Sequence, residues 1–155
     1  MGSEMNKEKL LKKFKGRPLI ELPTPSMVAD ITAMETNLAR MDGFFTGKGS
    51  KLRPHFKSHK CVTLARRQMD YPNTVGITCA KLSEAEQLVM GGVQDILIAN
   101  QVIGLDKTAG IAEMNRKAAV HVAVDSELGI KQLGTAAKSA GVTIGVFVEI
   151  DIGMK

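Results

Sequence analysis

From Pro18 onward, short runs of Val, Ile and Leu alternate with stretches in which apolar residues recur every three or four positions. The first pattern suits strands buried in a sheet, and the second suits helices with one apolar face. Met27-Val28-Ala29-Asp30-Ile31 predicts a first strand. Thr32 is placed to cap a helix running to Met41, with Glu35 completing a capping box. Phe44 to Ser50 reads as a loop into a second strand, Arg53 to Lys57, and a helix opening near Cys61 covers Val62 to Met69. Asp70-Tyr71-Pro72-Asn73 stops that helix. Val75 to Cys79 predicts a third strand, followed by a helix over Ser83 to Met90 that Gly91-Gly92 ends. Ser83 and Glu86 offer a second capping box. Asp95 to Ala99 is a strand, Lys107 to Lys117 a helix, and Ala119 to Val124 a strand. Ser126 to Ala140 is a helix ended by Gly141, and Thr143 to Ile150 is a sixth strand.

Six strands alternating with five helices predict an α/β fold with a parallel sheet. A TIM-type (β/α)8 barrel needs eight strands and about 250 residues. The expectation is therefore a partial barrel of about six strands, in a truncated chain that lacks the carboxy-terminal strands. An open doubly wound sheet is the alternative, but no Gly-x-Gly-x-x-Gly follows the first strand.

Charge divides the chain in two. Residues 1–17 hold six basic and two acidic residues, while the other 138 hold fifteen and fourteen. Residues 1–17 thus read as a basic tail or short amphipathic helix, and 18–155 as the folded portion. With its excess charge in one leading segment, a single Tyr and no Trp, the chain lacks the basic, aromatic-studded face that nucleic acid requires. No apolar run is long enough for a membrane span. Cys61 and Cys79 have neither metal-ligand spacing nor a disulfide framework, which suits a reducing cytoplasm. Cys79 reads as a small core residue.

The candidate chemistry concentrates in Arg53-Pro54-His55-Phe56-Lys57-Ser58-His59-Lys60. On a strand Arg53, His55 and Lys57 would share one face. A lysine at the carboxyl end of such a row can be desolvated, deprotonated and made to attack a carbonyl, forming a Schiff base. A basic surface strand is the plain alternative.

This run resembles the lysine motif of the D-threonine aldolase and D-serine dehydratase family, whose members are alanine racemase-like pyridoxal 5'-phosphate (PLP) enzymes of fold type III. Further blocks follow in the family's order: Leu22 to Asp30, Met34 to Met41, Thr78 to Glu86, Asp95 to Gly104 and Val148 to Met154. The resemblance runs from about Pro18 to Lys155. It implies that Lys57 carries the cofactor, exchanges it to the substrate amine and acts as a base. His55 and His59 would contact the cofactor ring or phosphate, or else His55 is an interior structural histidine. Gln101 reaches the cofactor or caps a loop, and Asp151 orients a cofactor-side group or forms a salt bridge. Asp30, Cys79, Asn100 and Asp125 also fall at predicted strand ends. Lys60 should face solvent, His121 should be structural, and Glu84, Glu86 and Glu113 should be solvated on helices.

The resemblance further implies an arginine after Gly153-Met154, glycine-rich phosphate contacts and a carboxy-terminal β domain. A His and an Asp of that domain would bind Mn or Mg in metal-activated members. None of these lies in the chain, and no metal ligand is assigned within it. The expected activity is a lyase on D-3-hydroxy amino acids, most like D-threonine aldolase, giving glycine and an aldehyde. D-Serine dehydration to pyruvate and ammonia is the near alternative, and a non-catalytic PLP-binding or scaffold fragment the distant one. The expected partners are a small D-amino acid and, for the full-length enzyme, a second copy in a homodimer.

Overall fold

The computed structural model describes residues 12–153. The chain divides into two units, Met1–Glu35 and Thr36–Lys155. The basic start, residues 1–11, lies outside the described residues, as do residues 154–155.

In the first unit, Leu19–Glu21 forms a 3-10 turn. Arg17 pairs with Glu21 at 2.9 Å, but both side chains are exposed, so the pair contributes little. The strand expected over Met27 to Ile31 does not form. Residues 26–30 have no regular structure, and Ile31 already begins helix α1 (Ile31–Phe45). The cause is Asp30. Its Oδ1 accepts the Ala33 N–H at 2.9 Å and its carbonyl accepts the Met34 N–H at 2.9 Å. A short acidic side chain satisfying a free amide of the first turn is an N-cap. Asp30 therefore caps this helix two residues before the expected cap, Thr32.

The second unit is built on four parallel strands, β1 (Ile77–Cys79), β2 (Asp95–Gln101), β3 (Ala119–Val124) and β4 (Val146–Val148). They lie side by side in sequence order. A doubly wound sheet reverses its strand order at a switch point. This order contains no reversal, which fits a section of a barrel, though with four strands where six were expected. The second expected strand, Arg53 to Lys57, runs beside β1 through two isolated bridges, Leu52 to Thr74 and His55 to Thr78. Leu52 exchanges backbone bonds with Asn73 and Val75, and the Thr78 N–H reaches the Pro54 carbonyl at 2.8 Å. Pro54 has no N–H to return, which interrupts the ladder. Phe56–Ser58 then curls into a 3-10 turn. Arg53, His55 and Lys57 accordingly do not form one continuous strand row.

Four helices follow the expected rhythm: α2 (Val62–Met69), α3 (Leu82–Met90), α4 (Leu105–Met114) and α5 (Glu127–Ala140). Ser126 Oγ accepts the Gly129 N–H at 3.3 Å, and Gly141 ends α5 in the left-handed conformation, φ 67°. The capping box expected at Ser83 and Glu86 is shifted. Lys81 is the cap residue, and Glu84, three positions on, reaches back to the Ala80 N–H.

The core lies between one sheet face and these helices. Ile77, Cys79, Ile96, Ile98, Val120, Val122 and Val124 pack with Ala65, Ala85, Leu88, Ile111, Met114 and Leu133. Burying each of the larger aliphatic side chains is worth roughly 1.5–3 kcal/mol relative to exposure. Successive strand residues point to opposite faces, so Thr78, Asp95, Leu97, His121, Ala123 and Phe147 occupy the face away from the helices. Two asparagines tie the frame together. Buried Asn73 donates to Asp42 Oδ1 from its backbone and to the Asp42 carbonyl and Thr46 Oγ1 from its amide, anchoring the end of α1. Asn115 exchanges bonds with both backbone groups of Val120, seating the end of α4 on β3.

Candidate functional site

In parallel α/β folds the chemistry gathers where strands end at their carboxyl side. Lys57 sits there, one residue into the turn that closes the Leu52–His55 segment. It is exposed, and among the described residues no carboxylate pairs with its Nζ. Its backbone N–H donates to His55 Nδ1 at 3.2 Å, so His55 caps the turn from which Lys57 projects. Burial, followed by the positive charge of Lys57, lowers the His55 pKa, while the Glu84 carboxylate opposes the shift. His55 is thus neutral near pH 7, with Nδ1 accepting.

His59 is committed within the chain. Its Nδ1 accepts the Cys61 N–H at 3.1 Å and its Nε2 lies 3.2 Å from Gln68 Oε1. Its ring stands edge-on to buried Phe56, with centroids 5.5 Å apart. These contacts fasten the residues after Lys57 to both ends of α2, through Cys61 before its first turn and Gln68 in its last. Lys60 follows in the left-handed region, φ 49°, a conformation costing a non-glycine residue roughly 1–2 kcal/mol. Its amine, expected to face only solvent, lies 3.5 Å from Glu84 Oε1.

Glu84 corrects the sequence reading, which placed it on a solvated helix face. It is buried, 8% exposed, whereas Glu86 and Glu113 are exposed as expected. Its Oε2 accepts the Ala80 N–H at 2.9 Å. Burial works against its ionisation, but bonds from Ala80, Lys60 and Lys81 outweigh that and hold its pKa below the ordinary carboxylate value. Cys79 is fully buried as expected. Burial first, then the Glu84 charge, push its thiol up to about 12.

The next strand ends carry amides. Asn100 Nδ2 donates to the Ala80 carbonyl at 2.8 Å, and Gln101 Nε2 to Glu149 Oε2 at 2.7 Å. The loop-capping amide is therefore Asn100, while Gln101 spans the rim. A bulge makes this possible: Ile98 faces Val122, yet Gln101 faces Ala123. Asp151 Oδ1 accepts the Gly153 N–H at 2.9 Å, shaping the turn after β4. Asp125 is exposed between β3 and the cap of α5.

Sequence reasoning missed a charged cluster at the opposite, amino-terminal end of the sheet. Arg53 pairs with Asp95, and His121 Nε2 lies 3.7 Å from the same carboxylate. Gly76 and Gly145 make the room, because a Cβ on either would run into Arg53 or His121 respectively. Arg53 was visible only as part of the lysine motif, and nothing along the chain linked it to Asp95. Among the described residues no three His, Cys, Asp or Glu residues converge as a metal site, and no helix is long and apolar enough to cross a membrane.

Comparison with known proteins agrees with this frame. Residues 29–155 match the family profile "Alanine racemase, N-terminal domain". D-threonine aldolase of an Arthrobacter species is 41% identical over 89% of this chain and 36% of its own length. D-threo-3-hydroxyaspartate dehydratase of Delftia sp. HT23 is 32% identical over 86% of this chain and 35% of its own. The crystal structure of D-threonine aldolase from Filomicrobium marinum superposes with a TM-score of 0.83 at 42% identity, covering 87% of this chain and 36% of that one. The chain thus spans about a third of the length of these relatives. Its fold, its order of elements and these matches place the chain in the alanine racemase N-terminal domain family, beside the D-threonine aldolases and D-hydroxyaspartate aldolases and dehydratases.

Proposed function

We propose that this chain contributes the cofactor lysine, Lys57, to a PLP-dependent lyase acting on D-3-hydroxy amino acids, cleaving them to glycine and an aldehyde. The observation that carries the reading is the Lys57 turn: an exposed amine with no carboxylate partner among the described residues, held at the carboxyl end of a parallel segment by a neutral imidazole. Such an amine suits an aldehyde-bearing cofactor, and a nearby Asp or Glu would have tied it up as an ion pair. Relatives of both reaction types support a lyase, and the higher identity to the aldolase favours carbon–carbon cleavage over dehydration.

Bound PLP would supply an electron sink for the pair released when a bond at the substrate Cα breaks. The chain's own residues hold and orient. Lys57 Nζ would anchor the cofactor, yield that place to the substrate amine, and then carry a proton to or from Cα. His55 fixes the turn through Nδ1 and presents its remaining ring edge beside Lys57. Gln101 and Asp151, on the same rim, would line the cofactor's surroundings, and His59 would act through the loop it fastens. In the overall reaction the 3-hydroxyl loses its proton, Cα–Cβ breaks, the aldehyde leaves and Cα gains a proton.

On this reading residues 18–155 form the N-terminal portion of the cofactor-binding barrel, preceded by the basic residues 1–17. The whole enzyme would be a homodimer that uses Mn or Mg held by residues beyond this chain. The test is product analysis of the natively expressed enzyme supplied with D-threonine. Glycine and acetaldehyde in equal amounts are expected. A 2-keto acid and ammonia without glycine would transfer the assignment to the dehydratases, and no product from any D-3-hydroxy amino acid would end it.

A further inference from the structure

We propose that Glu84 is a positioning residue for the lysine turn: its buried carboxylate joins the end of β1 to Lys60 and thereby fixes how Phe56–Ser58 presents Lys57. The inference rests on the reading of Lys57 as the cofactor lysine and adds to it a residue on a different element.

The geometry has three parts. Glu84 Oε2 accepts the Ala80 N–H at 2.9 Å, tying the first turn of α3 to the residue after β1. Its Oε1 lies 3.5 Å from Lys60 Nζ. The Lys60 N–H in turn donates to the Phe56 carbonyl at 2.9 Å, so Lys60 closes the same turn that carries Lys57. Lys60 adopts φ 49°, and a lysine persists in that region only when its surroundings hold it there. A glutamate that merely caps a helix needs the Ala80 bond alone and can sit in water. This one is buried, faces a cation from another element and lies close enough to His55 and Cys79 to act on both. The charged or titratable groups facing His55 are Lys57 and Glu84, and those facing Glu84 are Lys60 and the Cys79 thiol. One carboxylate thus pairs with Lys60 at the far end of the Lys57 turn and acts electrostatically on His55, which caps it.

The test compares Glu84→Gln, Lys60→Met and the double variant with the parent protein, all stripped of cofactor. Each is treated with pyridoxal phosphate and cyanoborohydride, and the modified fraction at Lys57 is measured against that at Lys51 by peptide mapping. Either single variant is expected to lower the Lys57-to-Lys51 ratio several-fold, with no further loss in the double variant. A simple loss of stability would change both lysines together. Histidine NMR provides a second readout, in which His55 should titrate at lower pH in Glu84→Gln because an opposing negative charge is gone. An unchanged ratio in folded Glu84→Gln overturns the inference. If that variant does not fold, an unchanged ratio in Lys60→Met, which alters only an exposed amine, overturns it equally. If the parent shows no preference for Lys57, the cofactor reading falls instead. Glu84 positioning then stands or falls on whether both variants displace the amide resonances of residues 56–60.

Discussion

Gln101 Nε2 donates to Glu149 Oε2 at 2.7 Å although the residues are 48 positions apart, bridging from β2 across β3 to the residue after β4. The bulge before Gln101 aims it there. Both partners are exposed, so Gln101→Ala should cost only about 0.5–1 kcal/mol, the net worth of an ordinary hydrogen bond. Urea unfolding measures this. On the proposed function the variant should also release cofactor faster while keeping Lys57 as the attachment point.

Two glycine substitutions should act in opposite directions. A Cβ on Gly76 would lie 2.7 Å from the Asp95 carbonyl and collide with the Arg53 guanidinium, so Gly76→Ala must displace backbone as well as a salt bridge. A loss of about 1–3 kcal/mol is expected, as for other overpacked sites. Gly134 lies inside α5 with open space around it, and Gly134→Ala should add about 0.5–1 kcal/mol by reducing the freedom of the unfolded chain. Thermal or urea unfolding of the pair checks both signs.

Cys79 predicts an alkaline limit. Its folded pKa is raised from 9.0 to about 12, so the folded state keeps a proton that the unfolded chain gives up. Stability is full below pH 9 and falls as pH climbs from there, by up to about 1.4 kcal/mol per pH unit. Cys79→Ala should flatten that slope. At pH 8 a thiol reagent should modify Cys61, which is partly exposed, well before Cys79.

His55 predicts an acidic effect of the other sign. Its folded pKa is lowered, so the unfolded chain takes up the proton first, and stability present above pH 6.5 is lost as pH falls toward the folded value. Lys57→Met removes a positive neighbour and should move the His55 NMR titration to higher pH. No change on that substitution would mean that Lys57 and His55 do not share the local field described here.

How much of this was legible depended on the range of the cause. The strand Ala119 to Val124, the helix up to Ala140 and its end at Gly141 follow from local periodicity and turn chemistry, and the structure agrees, with Ser126 as the cap rather than the first helical residue. The strand predicted at Met27 to Ile31 failed because one carboxylate, Asp30, serves a helix better than a strand end. Pro54 was visible in Arg53 to Lys57, but the cap that His55 supplies to Lys57 was not. Glu84 was misjudged because a shift of two residues in the cap turns a solvated position into a buried one. The Arg53–Asp95 pair spans 42 residues, a separation at which periodicity carries no information. The lysine motif itself was plain in the sequence, whereas the contacts that hold it come from β1, α2 and α3.

The most direct test of Lys57 as the cofactor lysine is borohydride reduction of the natively purified protein, followed by intact mass and peptide mapping. A single pyridoxyl group on Lys57, absent from Lys57→Ala, is the predicted result. A pyridoxyl group on another lysine, or none on a folded protein saturated with pyridoxal phosphate, would contradict it.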